Sequence, residues 1–569
     1  MKIRNFTLTF MTIITLMACK EKSLDFYEEV QPLLADNTTI QLKKDGRYIL
    51  NIEDKGTFHI SNLKNLTIEG NGATIVCNKQ QQAFHFKMCE NLTLSNLIIE
   101  YDPLCSTQGT ILNISDDNRT FEVQIHEGYP MPDPKSRQDR IQIYDKATKE
   151  LIRNYQTTHI EGKIETDSIN RILTFNIYSP KAGVYKPGDY IVLNNVPEGL
   201  PPHCFEMDRC RNTIFEDVTI YDSPHFSVLE YDCHNSYYHR CIIDRKINDP
   251  KRPEDRLRSG LADGINSNGA TKGPKIESCI IKHQGDDGIA ISGTLYPVYK
   301  TDKAERKIYF LTNDAKAMNA RFKKGDKVVC MANDGTVRQN AHVTEVSDAS
   351  PQPTQEEVNA CFRKLPDILN YTNFTIGIGI QLDEWIEGAS SGDLVYSNDR
   401  IGNGFEIVDC EVGHNRSRGL LIKSGEGVIR NNLISGCAMS GLALCPEIFW
   451  MGAGLANNME ISNNTIEKCM FESDLKDFYQ SAAFVVMSEA PCGGYAPAGA
   501  MQNINIHDNK VIGCPRPSMV LTSIDSGSIY NNEVIPDTTM IRRHGANNGI
   551  INTQDCQEIN LKNIKREQP

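Results

Sequence analysis

The sequence predicts an all-β chain wound as a right-handed parallel β-helix, with two small β-barrels inserted into the solenoid. Three observations lead there. Asp-Gly-Ile occurs at Asp263–Ile265 and again at Asp287–Ile289, 287 − 263 = 24 residues later, and a short apolar run follows each copy. Asn65-Leu66-Thr67-Ile68 and Asn91-Leu92-Thr93-Leu94 repeat in the same way, 91 − 65 = 26 residues apart. Two long stretches between such phrases lose the period altogether. A repeat in the low twenties, built of strands with polar or glycine turns, marks flat coils stacked on one another. Equivalent residues then sit one β-spacing apart, roughly 4.8 Å.

Length supports a solenoid. A chain of 569 residues, 40% hydrophobic and 8% aromatic, is too long for one compact core, whereas each coil buries a small core of its own. The formal charge of −13 argues against a nucleic-acid partner. It also disfavours a polyanionic substrate unless a local basic cleft receives it, so a neutral sugar is expected.

The first residues are an address. Lys2 and Arg4 precede an apolar run from Phe6 to Leu16, and Leu16-Met17-Ala18-Cys19 has the form of a lipobox, predicting a lipoprotein signal over 1–18 and a lipid on Cys19. Lys20 follows rather than an aspartate, which points to the outer membrane, on its periplasmic or cell-surface side. No other apolar run is long enough to span a bilayer, so membrane contact is expected only through the lipid. Eighteen cysteines in an exported chain would ordinarily suggest disulfides. Cys241, Cys279, Cys410, Cys437 and Cys469, however, recur at coil positions and are expected to stack as small hydrophobes.

In chain order, 19–102 reads as N-terminal coils. Residues 103–201 carry short strands and a Gly188-Asp189 turn, predicting the first barrel. Coils resume over 202–293 and contain the acidic stretch. Arg252, Arg256 and Arg258 lie in the loop before it, as a solvated charge run or a rim. Residues 294–401 repeat the Gly-Asp signature at Gly325-Asp326 and Gly392-Asp393, predicting the second barrel. The last coils occupy 402–569, where Asn432, Asn464, Asn509 and Asn532 form a candidate ladder.

The chemistry concentrates at Asp263, Asp286 and Asp287. In successive coils Asp263 and Asp287 stack, and Asp286 adds a third carboxylate. Such repulsion is tolerated mainly where the charges have work to do. Glycoside hydrolysis needs a proton donor for the leaving oxygen and a base for water. Asp286 is expected to be the acid, with Asp263 and Asp287 sharing the water, on a diagonal from Asp263 to Asp286 long enough for inversion. Gly285 and Gly288 are expected to loosen the backbone so that both neighbouring carboxylates face the cleft. Arg418 falls in the same column as Asp263 and Asp287, and with Arg416, His283 and Lys423 is a candidate substrate-binding residue. Glu447 and Trp450, in an excursion from Cys445 to Asn457, complete that set, Trp450 as a sugar platform or as packing. No cofactor or metal is expected, the acids having no His or Cys ligand cluster beside them.

Ala262-Asp263-Gly264, Gly285-Asp286-Asp287, the run Arg416 to Leu421, and a Trp loop followed by Ile461 to Ile466 together resemble glycoside hydrolase family 110. The resemblance implies an inverting exo-α-galactosidase that removes terminal α-linked galactose from glycans, with the three aspartates as its catalytic residues. A more distant similarity is to the polygalacturonases of family 28, whose Gly-His-Gly motif is replaced here by Gly413-His414-Asn415. Other readings remain open at this point. A polysaccharide lyase would need Ca²⁺ on the acids and a base such as Lys423 or Arg418, and a non-catalytic carbohydrate-binding solenoid would bind without turnover.

Overall fold

The computed structural model describes residues 23–132, 136, 141–153, 158–199, 202–313, 321–365, 374–472, 481–541 and 549–566. The signal 1–18 and Cys19 lie outside them. Most strands fall into two long sheets, one of 23 strands and one of 12, and their inward side chains share one continuous core from Phe26 to Val534. In the shorter sheet Val228–Tyr231, Ile265–Asn268, Ile289–Thr294, Leu420–Ile422 and Leu442–Leu444 pair in turn, all parallel. The register aligns Ile265 with Ile289 and Ile289 with Leu420. Two residues earlier, Asp263, Asp287 and Arg418 therefore occupy one column.

The chain leaves this stack twice and rejoins it at the next coil. Phe84–Lys87 pairs directly with Phe205–Asp208, although more than a hundred residues separate them. The first excursion is an antiparallel sheet of six strands packed around Phe121, Phe175 and Leu193, and the isolated bridge Ile141–Thr158 joins its ends. The second is a closed six-stranded barrel around Phe310 and Phe322. The Gly-Asp signature has one physical cause throughout. Gly188, Gly325 and Gly392 adopt φ of 99°, 95° and 97°, which suits glycine. The next aspartate then accepts a backbone N–H three residues back, at 2.9 Å each, from Lys186, Lys323 and Ser390.

Polar ladders fix the coil register. Asn432 Nδ2 donates to Asn464 Oδ1, Asn464 Nδ2 to Asn509 Oδ1 and Asn509 Nδ2 to Asn532 Oδ1, at 2.9, 2.9 and 3.0 Å. The same Oδ1 atoms also accept the backbone N–H one coil away, so a buried amide is satisfied only if its copies are in line. An exposed ladder runs through Asn37, Asn65, Asn91, Asn212 and Asn235. The described cysteines are all free, and all but Cys492 and Cys556 are buried. Cys279 Sγ accepts the N–H of Cys241 at 3.4 Å, as stacked thiols would. The arginines before the acidic stretch are neither a solvated run nor a rim. Arg256 and Arg258 are buried, and Arg258 donates to Asn194 of the first excursion at 2.7 Å, while Arg252 pairs with the buried Asp249. Isolated buried guanidinium groups would be costly, so they lie where carboxylates and amides of two structural units meet.

Candidate active site

The backbone brings the three aspartates together through close approach of bare glycines. A Cβ on Gly264 would meet Gly288 O at 2.7 Å, and one on Gly288 would meet Gly419 O at 2.6 Å. A Cβ on Gly285 would meet Leu261 O more closely still, at 2.3 Å. Gly285 and Gly288 therefore act by lacking a Cβ, and neither takes a positive φ. This corrects the expectation of a loosened backbone. Asn415, fully buried, clamps the turn by accepting the N–H of Gln284 at 3.0 Å and donating to Arg418 O at 3.3 Å.

Asp263, Asp286 and Asp287 each present a carboxylate oxygen within 4.8 Å of the others. Asp263 accepts Asn266 Nδ2 at 2.8 Å and the Asp287 N–H at 3.3 Å. Asp287 accepts the Arg418 N–H at 2.8 Å, with its other oxygen 3.5 Å from Arg418 Nη1. Asp286, the most accessible of the three, pairs with Arg416 Nη2 at 2.5 Å, and Arg416 Nε donates to Gly285 O at 2.6 Å. Burial, then Asp287 and Asp286, push the Asp263 carboxyl well above the usual carboxylate range. Burial also raises Asp287, against the opposing pull of Arg418.

Arg416 pairs with Asp286, while burial and the neighbouring carboxylates favour the protonated form of Asp263. One oxygen of Asp263 and one of Asp286 lie within 4.8 Å of each other.

A second layer holds the cations. Arg418 Nη2 and Lys423 Nζ each donate to Glu447, at 2.7 Å, and all three side chains are at least nine-tenths buried. Burial opposes ionisation of Glu447, but the two cations outweigh it and hold its carboxyl below the usual range. The Glu447 turn closes by paired backbone bonds with Gly452, and Gly452 pairs with Thr294 where the chain departs for the barrel. Trp450 on this turn is 57% exposed and meets Phe449 edge to face at 4.9 Å, so it is not coil packing. His283 is placed elsewhere. Its ring bonds to Asp244 at 2.6 Å and stacks on His414. Asn266 and Asn415 were missed from sequence. Their signals were an amide directly after the first Asp-Gly-Ile and the asparagine that ends Gly413-His414-Asn415.

No family model matches the chain. Over 530 residues it is 23% identical to α-1,3-galactosidase B of Bacteroides thetaiotaomicron, spanning 89% of this chain and 79% of that one. The chain is similar to the α-1,3-galactosidases. α-1,3-Galactosidase A of Bacteroides fragilis is 22% identical, over 87% of this chain and 78% of its own. Among solved structures, an exopolygalacturonase from Thermotoga maritima aligns over 95% of this chain and 92% of that one, with 11% identity and a TM-score of 0.35.

Proposed function

We propose that the protein is a glycoside hydrolase that removes terminal α-linked galactose from a glycan in exo fashion and with inversion. The observation that carries the hydrolase chemistry is the cluster of three carboxylates on two coils. One proton is held among them on the Asp263 side for the leaving oxygen, and carboxylates braced by Arg416 and Arg418 remain to activate water. Galactose as the sugar rests on similarity to the α-1,3-galactosidases. A neutral sugar also suits the electrostatics. The three cations around the cluster are each paired, Arg416 with Asp286, Arg418 with Asp287 and Glu447, and Lys423 with Glu447. A uronate would have to break one of these pairs, which speaks against a polygalacturonase or a lyase. The same arginines supply the charge that Ca²⁺ would bring. Trp450 offers the sugar an aromatic face.

The reading is tested by release of galactose from aryl α-galactosides and α-1,3-linked glycans. Hydrolysis of aryl β-glycosides or uronates alone would overturn it. Inversion is expected from the family resemblance. Proton NMR of an α-galactoside digest should show β-galactose first, and the α-anomer first would mean that one of the close carboxylates acts as a nucleophile.

The mature chain is further proposed to be an outer-membrane lipoprotein anchored through Cys19. No described helix is long and apolar enough to cross a membrane. Cys19→Ala should abolish incorporation of labelled palmitate and move the protein into the soluble fraction. Unchanged membrane retention would refute the anchor.

A further inference from the structure

A second cluster lies at the joint between the solenoid and the first excursion. His283 and His414 stack with ring centroids 5.1 Å apart and 21° between planes, and Glu150 reaches them from the turn that follows Gln142–Tyr144. That turn is tied down by Arg245, which donates to Lys149 O at 3.0 Å. His283 is 7% exposed. Its Nδ1 lies 2.6 Å from Asp244 Oδ1, so in the neutral ring the proton sits on Nδ1 and Nε2 carries a bare lone pair. That Nε2 is buried and has no hydrogen-bond partner. It faces Glu150 Oε1 across 3.9 Å, too far for a hydrogen bond. His414 Nδ1 lies 2.6 Å from Glu150 Oε2, and one donor atom from each of the three residues falls within 4.8 Å of the others.

We infer that Glu150, His283 and His414 form a binding site for a divalent first-row transition metal, with Zn²⁺ the natural probe. Two imidazoles and one carboxylate are the donor set such ions favour over Ca²⁺ or Mg²⁺. Ligands about 2.0–2.2 Å from a tetrahedral ion lie roughly 3.4 Å from each other; the 3.9 Å gap at His283 would close slightly onto an ion and the 2.6 Å contact of His414 with Glu150 would open to admit it. Asp244 fixes the ring and tautomer, as carboxylates behind metal-bound histidines do. Arg245, 3.8 Å from Glu150 Oε1, opposes a cation. Asp244 and Glu150 set two carboxylates against that single guanidinium. Glu150, less buried than His283, also lines an open cavity of about 630 Å³. The site would be structural. His283 precedes Asp286 by three residues and His414 precedes Arg416 by two, so one ion would tie the excursion to both turns that build the acidic cluster. It takes no part in the proposed hydrolysis.

The test uses the full folded chain, stripped with chelator and re-equilibrated with Zn²⁺ or Co²⁺. One equivalent of zinc per chain is expected by elemental analysis, with a rise in thermal midpoint on adding Zn²⁺ and visible Co²⁺ absorption typical of nitrogen ligation. His283→Ala and, independently, His414→Ala should lose all three responses, while Asp263→Asn should keep them. Two variants guard against one that fails to fold, and circular dichroism identifies such a case. Absence of bound zinc and of any thermal response in the wild type would overturn the site, leaving a hydrogen-bonded His-Glu-His contact. Equal binding by folded His283→Ala would overturn it too, placing the ion on other ligands.

Discussion

Asp263→Asn is expected to lose about 10³-fold in turnover on an α-galactoside, within the 10²- to 10⁴-fold that a positioned acid or base contributes, while the fold is retained or strengthened. The stability half follows from the sign of the shift. Burial and two neighbouring carboxylates raise the folded-state pKa of Asp263, so between the unfolded value, about 3.9, and the raised one the folded chain keeps a proton that the unfolded chain releases. Stability contributed by this group falls as pH climbs through that window and is level above it. Asparagine does not ionise, so the variant should be at least as stable as the wild type at pH 7 and should lose this slope. Asp287→Asn should lose activity to a similar degree. Near-normal turnover in either folded variant would remove the cluster from the chemistry. A large drop in denaturation midpoint for Asp263→Asn would show that its role is structural.

Glu447→Ala should be the most destabilising single change near the site. It leaves Arg418 and Lys423 without their shared partner, although both are nearly inaccessible, and breaking a buried pair from one side costs about 3–5 kcal/mol. Urea unfolding should show that loss, and Lys423→Met in the same chain should recover part of it, since the stranded charge is then gone. The pH signature runs opposite to that of Asp263. The folded Glu447 carboxyl is held below its usual range, so its stabilisation is present above the unfolded value, about 4.3, and is lost as pH falls through the folded one. The variant should lack that loss on acidification. A cost under about 1 kcal/mol would mean that water already solvates the two cations, against the burial on which the expectation rests.

The sequence by itself determined the winding. Asp-Gly-Ile at a 24-residue spacing placed Asp263, Asp287 and Arg418 in one column, and four asparagines named a ladder that the coils form amide to amide. Such features are legible because a solenoid turns spacing along the chain directly into adjacency in space. The loss of period marked where the chain leaves the stack for the same reason. What tertiary structure alone decided is everything that depends on groups without a shared period. Arg416 turns onto Asp286, and burial with two neighbouring carboxylates raises Asp263. Arg252, Arg256 and Arg258 look like a solvated charge run until the first excursion covers them. His283 reads as part of the acidic site because it lies three residues from Asp286, yet its ring meets Asp244 one coil back and Glu150, which is 283 − 150 = 133 residues earlier. Within a strand, neighbours in sequence face opposite ways. Contacts made across an inserted unit depend on how it docks, and no repeat in the chain encodes that.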